Sequence, residues 1–70
     1  MKKKIKIKIN GKFSTINENL NLLNFLKQLE IPLKKVAIEL NQEIIDKNNL
    51  KTIKLKNNDK IEIVHFIGGG

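Results

Sequence analysis

The sequence predicts an α+β domain in which a mixed β-sheet carries one main helix on one of its faces. Three observations lead there. The chain opens with strict alternation of lysine and isoleucine that runs into Asn10-Gly11. A single apolar stripe at helical spacing follows at Leu22, Phe25, Leu26 and Leu29. After it come further alternating segments at residues 36–40 and 61–66, with no second helix of comparable length between them.

Residues 3–10 place Ile5, Ile7 and Ile9 on one side of an extended chain and Lys4, Lys6 and Lys8 on the other, which is the pattern of a strand with one buried face. Asn10-Gly11 is a two-residue type I′ turn signal, because both positions of that turn need positive φ. Residues 13–16 then return antiparallel to the first strand, so a β-hairpin opens the domain.

Residues 17–21 offer several N-cap candidates, and the apolar stripe from Leu22 implies a helix to about residue 30, roughly three turns. Pro32 cannot continue it, and Ile31 before proline is driven toward extended geometry. Val36-Ala37-Ile38-Glu39-Leu40 alternates again, ends at the turn Asn41-Gln42, and leads to a brief edge strand at Ile44-Ile45. Residues 46–50 form a helical turn or a loop. Ile53 and Leu55 anchor a long connection to the core, and Lys56-Asn57-Asn58-Asp59 is a polar turn into the last strand.

Hairpin, helix, strand, short strand and strand is an order in which the last strand can return to the middle of the sheet beside the first. The fold expected is a β-grasp, or ubiquitin-like, roll with a four- to five-stranded mixed sheet. A ferredoxin-like split βαβ arrangement competes, but it wants two helices of comparable length, and residues 46–50 are too few for the second.

Composition narrows the function. Seventy residues make one domain that buries only about 60% of its unfolded surface, too little to enclose an ordinary catalytic cleft. Without cysteine there is no disulfide framework and no thiolate zinc site. Apolar runs are short, so neither a signal peptide nor a membrane span is expected, and the cytoplasm is the expected compartment. The net charge of +7 comes from fourteen lysines without arginine. Lys, Ile and Asn are all encoded by A/T-rich codons, which accounts for part of the excess. With no guanidinium for bidentate base contacts and no Trp or Tyr to stack on bases, the charge argues against nucleic acid and for steering an acidic protein partner.

The chain also lacks the inventory of an enzyme. It holds one histidine, His65, together with Ser14, Thr15, Thr52 and seven carboxylates that show no recognisable spacing for catalysis or a metal. His65 reads as a half-buried or partner-facing strand residue. The parity of the last strand is more informative. With Ile61 and Ile63 packed on the helix, Glu62, Val64 and Phe66 face the other way, and an outward Val and Phe make an apolar patch of the kind that marks partner surfaces. Beyond it, Gly68, Gly69 and Gly70 form an expected flexible tail (residues 68–70) on a domain of residues 1–67. Side-chain-less residues spanning roughly 10 Å can thread a channel too narrow for any other residue type. What they deliver is a carboxylate, inert until a partner converts it to an acyl phosphate or adenylate.

Two blocks carry a resemblance: residues 36–45 (Val-Ala-Ile-Glu-Leu-Asn-Gln-Glu-Ile-Ile) and 58–70 (Asn-Asp-Lys-Ile-Glu-Ile-Val-His-Phe-Ile-Gly-Gly-Gly). In them, and in length and element order, the chain resembles the ThiS family of sulfur carriers in thiamine biosynthesis, whose fold is the β-grasp. The resemblance implies that an E1-like, ThiF-type adenylyltransferase spends ATP to adenylate the carboxylate of Gly70. Sulfur from a cysteine desulfurase then gives a thiocarboxylate, and a ThiG-type thiazole synthase consumes it. The expected partner-binding residues are Val64, Phe66, Ile67, Gly68 and Gly69, and no cofactor or metal is expected on the chain itself. Gly68 adds one residue to the family's terminal diglycine, which lengthens the reach. Other readings stay open: the small subunit of molybdopterin synthase, a basic β-grasp module binding RNA or protein, and a ubiquitin-like modifier.

Overall fold

A computed structural model describes residues 3–66. Strand β1 (Lys4–Ile9) and β2 (Lys12–Asn17) form the opening hairpin, with Ile9 opposite Lys12 across a two-residue turn. Asn10 and Gly11 both have positive φ, 48° and 83°, as a type I′ turn requires. Helix α1 (Leu22–Gln28) follows, then a 3₁₀ turn (Leu33–Lys35), β3 (Val36–Leu40), β4 (Glu43–Ile44), a second 3₁₀ segment (Lys47–Thr52) and β5 (Lys60–His65).

The sheet has five strands in the order β2-β1-β5-β3-β4. β5 enters the middle, parallel to β1 and antiparallel to β3. This is the β-grasp roll, with a mixed sheet and one main helix. The core lies between the helix and one sheet face: Leu22, Phe25 and Leu26 from α1, Ile7 and Ile16 from the hairpin, Val36 and Ile38 from β3, and Ile61 and Ile63 from β5. Leu50 and Leu55 close it from the long connection. Each such side chain contributes about 1.5–3 kcal/mol on burial, so a small aliphatic core holds the domain without disulfides.

Asn21 caps the helix, its Oδ1 accepting from the Asn24 N–H at 2.7 Å. The connection is stitched to the helix start, where the Leu22 N–H donates to the Ile53 carbonyl and the Leu55 N–H to the Leu20 carbonyl. Ile53 and Leu55 are therefore anchors, Leu55 fully buried and Ile53 partly so.

The helix is shorter than its apolar stripe implies. It stops at Gln28, about two turns, because Glu30 turns left-handed at φ 58°. There the Glu30 N–H donates to the Lys27 carbonyl and the Ile31 N–H to the Leu26 carbonyl, the paired bonds of a Schellman end. Leu29, counted into the buried stripe from its spacing, is the C-cap and 43% exposed, since the helix has ended where it would turn inward. Residues 47–50 prove to be part of the 3₁₀ segment, capped by the extended Asp46, whose Oδ1 accepts from the Asn48 N–H. The expected boundary between domain and tail, at residues 67 and 68, lies outside the described residues.

Candidate functional site

The site is built on β5. Alternation turns Ile61 and Ile63 into the core, and β5 is clamped on both sides, Ile61 opposite Ile9 on β1 and Ile63 opposite Ile38 on β3. The opposite parity faces away from the helix, leaving Val64 49% and Phe66 54% exposed, as the strand pattern predicts. Phe66 follows the strand end, and its N–H donates to the Lys35 carbonyl at 2.9 Å, which keeps the chain directed along β3. The ammonium of Lys47 sits 5.4 Å from the Phe66 ring centroid, a cation–π contact that restrains the ring without covering it.

Ile44 belongs to the same surface. It pairs with Glu39, which pairs with Glu62, so all three share the helix-free face, and Ile44 is 76% exposed. From sequence it reads only as part of an edge strand. The signal that finds it is the two-residue turn Asn41-Gln42, both at positive φ, which fixes the β3–β4 register and with it the side on which Ile44 stands. Ile44, Val64 and Phe66 thus form an apolar patch with Lys47 at its margin.

His65 stands opposite Val36 at the end of β5 and is exposed, on the helix side of the sheet. Of the predicted site residues, Val64 and Phe66 come together on the patch, whereas Ile67, Gly68, Gly69 and Gly70 lie outside the described residues. Among the described residues, no three of His, Asp and Glu gather where they could hold a metal ion. No helix among them is long and apolar enough to cross a membrane. The arrangement offers an exposed apolar surface and, in the sequence beyond it, a run of glycines.

Comparison with known proteins gives this geometry its family. Residues 7–70 match the model of the ThiS family. The crystal structure of thiamine biosynthesis protein ThiS from Geobacter metallireducens superposes with a TM-score of 0.83 at 32% identity, covering 94% of this chain and all of that one (100%). The sulfur carrier protein ThiS of Bacillus subtilis is 43% identical over 47 residues, 67% of this chain and 71% of its own length. A thiazole synthase of Paramagnetospirillum magneticum is 36% identical over 66 residues, 94% of this chain. The chain spans only 20% of the length of that synthase. With the family model matched over nearly its whole length and the fold shared with a solved member, the chain belongs to the ThiS family.

Proposed function

We propose that this chain is the sulfur carrier of thiazole formation in thiamine biosynthesis, and that Gly70 is the residue on which sulfur is carried. The observation that carries this reading is the family match over residues 7–70, which takes in the glycines as well as the fold. A ThiF-type enzyme would transfer AMP from ATP to the Gly70 carboxylate with release of pyrophosphate. The mixed anhydride is then open to a persulfide sulfur, relayed from a cysteine desulfurase, that displaces AMP to give an acyl disulfide, and a thiol cleaves the S–S bond reductively, releasing the thiocarboxylate and leaving a disulfide. Exchanging oxygen for sulfur makes the terminus a soft nucleophile able to attack a carbonyl-derived intermediate on thiazole synthase.

The likeness to segments of thiazole synthases supports a ThiG-type enzyme as the consuming partner. The body of the protein is then an address: β5 holds Val64 and Phe66 outward for the partners, and Ile67, Gly68 and Gly69 extend into their active sites. Catalysis and ATP belong to those partners, and the cytoplasm is where they would meet it. Removing Gly70 tests this. ATP–pyrophosphate exchange by the activating enzyme should be lost, and exchange that continues undiminished contradicts the proposal.

A further inference from the structure

The helix-free face of the sheet carries a second surface, at the end of β5 remote from the glycines. Phe13 on β2 is 68% exposed, the most exposed aromatic ring among the described residues. Two ammonium groups converge on it, Lys8 at 4.9 Å and Lys6 at 5.3 Å from the ring centroid. Lys60 stands opposite Lys8 in the parallel pairing of β1 and β5. Together with Asn58 these residues line a concavity of about 290 Å³ that has no carboxylate in its wall. That is room for one or two side chains, at the lower edge of the range of about 300 to 1,000 Å³ seen for small-molecule pockets.

Three lysines on neighbouring strands repel one another, so the arrangement is unfavourable for the isolated domain and becomes favourable when anionic groups arrive. Further along the same face, Glu62 lies between Lys60 and Val64 on β5, with Glu39 opposite it on β3. From Lys60 to Phe66 the strand advances roughly 20 Å, at about 3.3 Å per residue. A partner bound at the apolar patch and the tail can therefore also reach this surface without competing for it.

We infer that Lys6, Lys8, Lys60 and Phe13 form a second docking surface, which takes an acidic protein segment whose carboxylates meet the lysines while an apolar side chain enters the concavity beside Phe13. The inference rests on the carrier function, and its occupant is a segment of an enzyme that handles the tail. Charge complementarity chooses that occupant: the wall is cationic with an aromatic floor, and it lacks the arginines and the additional stacking rings with which nucleic acid is read.

The test is association kinetics of the full chain with the purified activating enzyme and with purified thiazole synthase, for the parent, the pair Lys6→Glu with Lys8→Glu, and Phe13→Ser. Circular dichroism establishes that each variant is folded, and Phe13→Ser, which introduces no charge, serves should the double reversal not fold. For at least one enzyme the charge reversal should lower the association rate about tenfold and flatten its dependence on salt between roughly 50 and 300 mM, and Phe13→Ser should weaken affinity severalfold. Folded variants that associate with both enzymes as the parent does would overturn the inference while leaving the carrier function intact. A parent chain that neither enzyme binds or activates would instead remove the carrier function, and the docking surface with it. Binding of a single-stranded RNA oligonucleotide that Lys6→Glu with Lys8→Glu abolishes, with enzyme association unchanged, would reassign the surface to nucleic acid.

Discussion

The side chain of Asn10 accepts a hydrogen bond from the backbone N–H of Ile63 at 2.8 Å, joining residues 53 positions apart. β1 ends at Ile9, and the Asn10 N–H still donates to the Ile61 carbonyl. One step further the backbone has left for the turn, and the Asn10 carboxamide oxygen supplies the acceptor that a longer β1 would have given. A residue suited to the left-handed turn thus also extends the ladder that holds β5 in place just before Val64 and Phe66.

That double duty can be separated. Asn10→Gly keeps the positive φ and removes the acceptor, leaving a part-buried N–H unpaired, so it should destabilise the domain by about 1–2 kcal/mol. Asn10→Asp retains an acceptor and tolerates the turn, and should cost less than half as much. Urea unfolding of the two variants measures the difference. Equal losses would show that the turn, not the bond to Ile63, is what Asn10 supplies.

Glu30 occupies a left-handed position at the helix end that glycine enters without a Cβ clash. Its backbone bonds are made whatever its side chain. Glu30→Gly should therefore stabilise the domain by about 0.5–1 kcal/mol, a gain of a few degrees in Tm for a chain of this size. A loss in thermal unfolding would mean that the glutamate side chain contributes something its backbone geometry does not reveal.

Ile63 on the last strand and Phe66 just after it should behave oppositely. Ile63 is buried and Phe66 is half exposed beyond the strand end. Ile63→Asp buries an unpaired charge and should unfold a domain whose total stability is about 5 kcal/mol. Phe66→Asp should change stability by less than about 1 kcal/mol while weakening partner binding tenfold or more. Unfolding of Phe66→Asp would refute the assignment of that ring to an exposed docking surface.

An alanine added after Gly70 places a methyl group where the account requires a bare glycine carboxylate. Activation by the adenylating enzyme should stop, with unfolding unchanged. Pyrophosphate exchange at the unmodified rate on the extended chain would contradict the assignment of Gly70.

Local patterns carry much of this structure, and the reason is visible residue by residue. Asn10-Gly11 sets the hairpin register, the Lys-Ile alternation sets which face of β1 is buried, and the parity of Ile61, Ile63, Val64 and Phe66 survives intact in the structure. Each depends on periodicities that a few neighbouring residues define. The helix end was less legible because Leu29 continues the apolar spacing while Glu30 breaks the backbone, a residue type that gives no warning of a left-handed conformation. Lys47 over Phe66 depends on contact between distant segments, as does the convergence of Lys6, Lys8 and Lys60 on one concavity. Such encounters are settled by sheet order and register, not by local sequence.

The central claim is that sulfur is carried on Gly70. Its most direct test is the intact mass of the chain after incubation with the activating enzyme, ATP and a sulfur source, followed by fragmentation to locate the change. The account predicts a gain equal to one oxygen-to-sulfur exchange, confined to Gly70 and absent without ATP. An unchanged mass with a partner that activates its own established carrier, or a sulfur atom located elsewhere in the chain, would contradict it.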